Sequence, residues 1–224
     1  MDKIIVTISR EYGSGGRDVG RMLAQQLNIP VFDKEIMHMA AERSGLTTDF
    51  VEKRSEKVSS PFWHNMERLS VNVPNVRIHS GYNSLAVAKN MASASLKIRN
   101  DGDRLFYSQA AIIREIASMG SCVIVGRCGG YILRDNPGLL SVFVRGSLED
   151  RVKRAINTYG YSEKTALADV QKVDKCRGNY YHLYTQQQWG ATNNYDLVVN
   201  TSYCGIKGGV NVIKAMIGEV IVNK

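Results

Sequence analysis

Residues 3–20, KIIVTISREYGSGGRDVG, constrain the fold of this chain more than any other stretch. Residues 3–9 are mostly apolar and β-branched, the composition of a strand buried on both faces. Gly13, Gly15 and Gly16 follow, and then Val19, Leu23 and Leu27, joined by Met22, set out a helical stripe to about residue 28. A strand that turns through glycines into a helix gathers backbone N–H groups and a helix N-terminus at one point. That arrangement accepts an anion, most often a phosphate. The consensus for such a loop is G-x-x-x-x-G-K-[ST]. With Gly15 as its second glycine, Gly16 falls where the lysine belongs, and Arg17 and Asp18 follow. The shape is present, but its main charge is missing or moved.

The rest of the chain repeats the strand–helix alternation. Pro30 ends the first helix and residues 31–33 make a short second strand. Asp33 can cap a helix over 34–44 that Gly45 closes. Strand, glycine turn, helix and strand form a βαβ unit with a parallel sheet. Residues 46–104 are polar and broken by Ser59-Ser60-Pro61, Pro74, Ser80-Gly81 and Asn100-Asp101-Gly102, which reads as an inserted lobe. A helical pattern returns over 105–119, and buried strands follow at 121–126 and 139–144. Ser147 and Asp150 give a capping-box-like start to a helix over 148–158. Ser162 starts a long polar helix to about 187, residues 195–200 are the last strand, and 208–222 a closing helix. Five strands alternating with helices make a doubly wound α/β fold in one domain.

Bulk properties exclude several classes. No apolar run approaches the ~20 residues of a membrane span, and the start, MDKIIVTIS, is no signal peptide. Cys122, Cys128, Cys176 and Cys204 form no C-x-x-C pair, and the four histidines lack ligand spacing, so reduced thiols in a cytoplasmic protein are expected and no metal cage. A net charge of +8 favours polyanions. There is no dense Lys/Arg block, so the expected partner is a small-molecule nucleotide, with nucleic acid not signalled, no membrane, and a homo-oligomer left open.

The candidate site residues cluster by position. Gly13, Ser14, Gly15 and Gly16 shape the loop, and Arg10 or Arg17, each able to grip two phosphate oxygens, can replace the absent lysine. Asp18 sits near where a hydroxyl would touch Mg²⁺. Arg127 follows the strand 121–126, and ligands in open α/β sheets bind outside the carboxyl ends of the strands. Asp33 has the same placement and can orient Mg²⁺ or a substrate hydroxyl, or serve as the helix cap. Asp174, Lys175 and Arg177 lie in a basic, tyrosine-rich stretch that reads either as a packed surface helix or as a lid closing over phosphate.

Together ISREYGSGGRDVGRMLAQQL, VFDKE, VIVGRC, YILRD, LEDRVKR, KVDKCRGNYY and the tail from Trp189 to Ser202 resemble the cytidylate kinase-like proteins, P-loop relatives of bacterial CMP kinase. The resemblance implies a P-loop fold with a five-stranded parallel sheet, an inserted monophosphate-binding lobe over 46–104 and a lid over 157–190. It implies ATP and Mg²⁺ as cofactors, with residues 10–18 as the ATP phosphate loop, Asp18 and Asp33 near the metal and Asp33 also near the acceptor. Arg127 would hold the acceptor's phosphate, while Arg17, Lys175 and Arg177 would steady the transferred group. The chain departs from the pattern at the phosphate-loop lysine, and Val125 and Cys128 stand where acids flank Gly-Arg in that family. Phosphoryl transfer to a nucleoside monophosphate is the expected activity, and nucleotide binding without turnover is the alternative.

Overall fold

The computed structural model describes residues 3–45 and 101–222. Strands β1 (Ile5–Arg10), β2 (Val31–Phe32), β3 (Cys122–Val125), β4 (Leu139–Arg145) and β5 (Leu197–Asn200) form one sheet. Its order is β2-β3-β1-β4-β5 and every pairing is parallel. β1 lies at the centre, with Ile5 opposite Cys122 on one side and Leu139 on the other. The helices are α1 (Gly16–Leu27), α2 (Glu35–Ser44), α3 (Asp101–Met119), α4 (Gly129–Ile132), α5 (Leu148–Tyr159), α6 (Ala166–Thr185) and α7 (Thr201–Val222).

Alternation along the strands explains the layers. Val6, Ile8, Val123, Val125, Val142 and Val144 turn to one face and meet Val19 and Leu23 of α1 and Val210 and Ile213 of α7. Ile5 and Ile124 turn to the other and meet Ile36 of α2 and Ile113 and Ile116 of α3. Each fully buried Val or Ile contributes about 1.5–3 kcal/mol. The central strand is therefore the most firmly held element, and the loop that leaves its carboxyl end starts from a fixed point.

The element expectations hold, with informative shifts. α1 begins at Gly16, ahead of its apolar stripe, because Gly15 turns the chain at φ 77 in the N-cap place. Ser147 caps α5 as its spacing predicts, its Oγ accepting the Asp150 N–H at 3.2 Å. Asp33 does not cap α2: Lys34 holds that place with no side-chain bond, and the Asp33 N–H donates to Glu35 Oε2 at 2.9 Å. α3 starts at Asp101, inside the stretch expected to be the insert; residues 46–100 of that stretch lie outside the described residues. α7 starts directly after β5, and Gly205 (φ 68, ψ 176) interrupts its helical backbone. Among the described residues no helix is long and apolar enough to cross a membrane.

Candidate functional site

Residues 11–15 carry the chain from β1 into α1, and Gly13 and Gly15 both stand at φ 77, a conformation glycine adopts without a Cβ penalty. The loop's carbonyls are met from outside, one after another. Arg177 of α6 donates to Arg10 O at 2.9 Å, Arg151 Nε of α5 to Tyr12 O at 2.8 Å, and Arg154 to Gly13 O at 2.9 Å. The Thr201 hydroxyl donates to Ser14 O at 2.6 Å, and Glu11 O takes the Ser14 hydroxyl at 2.8 Å. The amides of Gly13, Gly15 and Asp18 have no partner among the described residues, and no side chain caps the first turn of α1. Carbonyl charge is neutralised while N–H charge stays unclaimed. That polarity suits an anion.

Acids hold the outer side together. Glu11 accepts the Gly146 N–H at 3.0 Å and pairs with Arg151 at 3.4 Å. Asp174 accepts the Tyr12 N–H at 2.7 Å, pairs with Arg151, and stands 3.9 Å from Arg177. Burial lifts the Asp174 carboxyl above its usual range, with the Tyr12 amide and the two guanidiniums pulling the other way. The Arg177 guanidinium also lies 5.3 Å from the centre of the Tyr12 ring, whose hydroxyl bonds that of Tyr161 at 3.1 Å. Burial first, then that bond, pushes the Tyr12 hydroxyl well above the usual tyrosine range.

A second set of residues gathers at the carboxyl ends of β1, β2 and β3. Arg10 is 9% exposed, and its chain fills the space beside Gly16: a Cβ there would lie 2.5 Å from Arg10 Cβ and 3.1 Å from Val144 Cβ. Its guanidinium rests on Gly126, at φ 79, where any Cβ would strike Nη1. Asp33, 6% exposed, forms an ion pair with Arg17, Nε lying 2.6 Å from its carboxylate, and has Arg10 at 3.9 Å. Opposite charge close by stabilises a carboxylate that is buried. A buried carboxylate between two guanidiniums therefore turns away from a helix cap. Arg10, Arg17 and Asp33, far apart as sequence motifs, form one cluster.

The other expected residues stand around it. Arg127 (φ 58) and Cys128 (φ 56) continue the left-handed backbone begun at Gly126, and Arg127 makes no hydrogen bond or ion pair among the described residues. Asp18 is half-buried in the first turn of α1. Lys175 is exposed on α6, one residue off the face that presents Asp174 and Arg177 to the loop. Arg177, expected to steady transferred phosphate, gives one guanidinium N–H to the loop's own carbonyl. Arg151 and Arg154 were missing from the expected set. The signal that could have found them is two arginines at i, i+3 on a helix whose start Ser147 fixes beside the loop.

A cleft of about 290 Å³ opens beside the loop, lined by Gly13, Ser14, Arg154, Asn157, Thr158 and Ser202. Unclaimed amides, flanking arginines and this cleft fit a phosphate-bearing ligand such as a nucleotide. A resident metal fits less well. Among the described residues no group of three His, Cys, Asp or Glu side chains could hold one. Asp33, Glu11 and Asp174 are engaged by arginines, which leaves Asp18 alone. These residues do not fit a resident Mg²⁺.

A parallel sheet in this order, with a glycine loop between its first strand and first helix, defines a P-loop kinase fold. The chain belongs to the cytidylate kinase-like family, whose model matches residues 5–203. It is 23% identical over 121 residues to a cytidylate kinase of Methanothrix thermoacetophila, covering 54% of this chain and 69% of that protein. A uronate isomerase of Corynebacterium glutamicum is 31% identical over 117 residues, 52% of this chain, which spans only 21% of that protein's length. Among solved structures, an uncharacterized protein of Eubacterium ventriosum is 27% identical with a TM-score of 0.65, covering 96% of this chain and 99% of its own. A shikimate kinase of Bacteroides thetaiotaomicron shares the fold at 11% identity and a TM-score of 0.51, covering 97% and 99% of the two chains.

Proposed function

We propose that this chain binds ATP through residues 10–18 and transfers its terminal phosphoryl group to a nucleoside monophosphate. One observation carries the reading: the carbonyls of Arg10, Tyr12, Gly13 and Ser14 are bonded from outside the loop and that of Glu11 by Ser14, while the amides of Gly13, Gly15 and Asp18 have no partner among the described residues. Those amides with Arg10 and Arg17 take the ATP phosphates, and the cleft beside Arg154 and Asn157 takes the rest of the nucleotide. Arg127, with no protein partner among the described residues, is the group for the acceptor's phosphate. Asp33 fixes where Arg17 points. Lys175 and Arg177 add positive charge from α6. The bond from the terminal phosphorus to the bridging oxygen breaks, an oxygen of the acceptor's phosphate takes its place, and ADP leaves. Such transfer asks the protein for positioning and charge. Mg²⁺ is expected as the counter-ion that ATP brings. The cytidylate kinase relationship makes CMP the first acceptor to try.

The test is purified protein with ATP and Mg²⁺ offered CMP, dCMP, UMP and AMP beside an authentic kinase. Formation of a nucleoside diphosphate from one of the four is the expected result; none from any of them, with the control active, refutes transfer. A second reading, nucleotide binding without turnover, is favoured by the packing at Gly16, where Arg10 leaves no room for the lysine that reaches the β- and γ-phosphates elsewhere. Calorimetry that records ATP binding with no ADP formed selects it.

A further inference from the structure

Asp174 does more than pair with arginines. Its carboxylate accepts the Tyr12 N–H at 2.7 Å, so an acid on α6 bonds the backbone of the loop itself, 162 residues away in sequence. The same carboxylate gathers Arg151 and Arg177, and each of these gives another N–H to a loop carbonyl, Tyr12 O and Arg10 O. Residues 10–12 are therefore gripped at both poles of the peptide by one charged knot. Arg151 is 7% exposed, so its charge depends on Asp174 and on Glu11 at 3.4 Å.

The C-terminal part of α6 is also fixed. Tyr184 stacks on Phe106 of α3, with ring centres 3.9 Å apart and planes 2° from parallel. Tyr180 packs edge-on to Phe106, and its hydroxyl bonds the buried Gln109 at 3.3 Å. A helix seated in the core by its tyrosines thus presents Asp174 and Arg177 to the loop at a set height.

We propose that Asp174 is a positioning residue for the anion site: through Arg151 and Arg177 it sets which way the peptides of residues 10–12 face. Asp174 acts on a bound phosphate only through the backbone. This rests on the phosphate-loop reading of residues 10–18 and assigns α6 a different part from a lid. The helix is a bracket, bolted to the loop near its middle and to α3 near its C-terminal end.

The experiment is calorimetric titration of ATP and of inorganic pyrophosphate into the full chain and three variants, with amide NMR of the Tyr12 N–H. Asp174→Ala removes both the acceptor and the charge, and is expected to weaken both probes at least tenfold. Asp174→Asn keeps an oxygen for the Tyr12 N–H and is expected to fall between Ala and the parent, a partial rescue that loss of packing would not give. Should Asp174→Ala fail to fold, Arg177→Met decides: it leaves the Asp174–Arg151 pair intact and removes one carbonyl donor, and a loss of threefold or more is expected. The Tyr12 amide resonance is expected to move strongly in Asp174→Asn. Folded Asp174 and Arg177 variants that bind both probes within twofold of the parent overturn the proposal. A parent protein that binds neither probe overturns the phosphate-loop reading beneath it, which separates the two failures.

Discussion

Restoring the consensus lysine is expected to damage this protein, and the first atom of that side chain is enough to show it. A Cβ on Gly16 would sit 2.5 Å from Arg10 Cβ, 3.1 Å from Arg10 Cγ and 3.1 Å from Val144 Cβ. Gly16 is not at positive φ, so the penalty is packing alone. The obstacle is the root of the Arg10 side chain and a valine on β4, neither of which can swing aside as a side-chain tip can. Overpacking of this kind costs about 1–3 kcal/mol. For a chain of 224 residues that corresponds to a melting point lower by roughly 2–12 °C. Gly16→Ala is the clean perturbation, and Gly16→Lys should cost at least as much. Urea unfolding measures it, with a lower midpoint at unchanged slope. Arg10→Gly combined with Gly16→Ala should recover most of the interaction energy in a double-mutant cycle, because the two side chains then no longer share one space. Gly16→Ala within 0.3 kcal/mol of the parent, about the scatter of additive surface changes, would refute the claim that Arg10 displaces the lysine.

Three further outcomes are expected. Gly126→Ala should destabilise by about 1–3 kcal/mol by combining a positive φ of 79 with the collision against Arg10, and Arg10→Ala should relieve only the collision; urea midpoints of the single and double variants check this. Arg17→Ala should weaken ATP binding by about 1.5–3 kcal/mol, the worth of a hydrogen bond to a charged group, and calorimetry reads it directly. Burial pushes the Cys128 thiol up to about 12 and the Cys122 thiol up to about 11, so both remain protonated at pH 8. Iodoacetamide at that pH should spare them in the native protein and modify the half-exposed Cys204 first, as peptide mass spectrometry would show.

The sequence disclosed the fold through signals of short range. The β-branched run before Gly13, the stripe of Val19, Leu23 and Leu27, and the Ser147 cap each occupy a few consecutive residues, and the structure places them accordingly. The site was legible in part. Arg10 and Arg17 stand out as the arginines flanking the glycine turn and Asp33 for its place at a strand end, and they do meet, but nothing in the sequence says that Asp33 turns to Arg17 in preference to capping α2. That outcome depends on how buried Asp33 becomes and on where Arg10 lies, which are properties of the assembled sheet. Arg151 and Arg154 escaped for the same reason. The loop groups they bond are the carbonyls of residues 12 and 13, and backbone leaves no complementary side-chain pattern to read. The missing lysine, legible as an absence, has its cause in Val144 and the Arg10 stem.

The outward bonding of the loop carbonyls also bears on how a ligand would arrive. A loop shaped only by its ligand would charge that ligand about 1–2 kcal/mol of conformational entropy for each residue it orders. Residues 10–14 are already held by Arg151, Arg154, Arg177, Thr201 and Asp174. Most of that cost has been met in folding the chain. Association should then proceed as a single fast phase whose rate rises in proportion to ligand concentration, without the plateau that a slow rearrangement imposes. Residence time, set by the arginines and amides that must let go, would carry the differences in affinity among ligands.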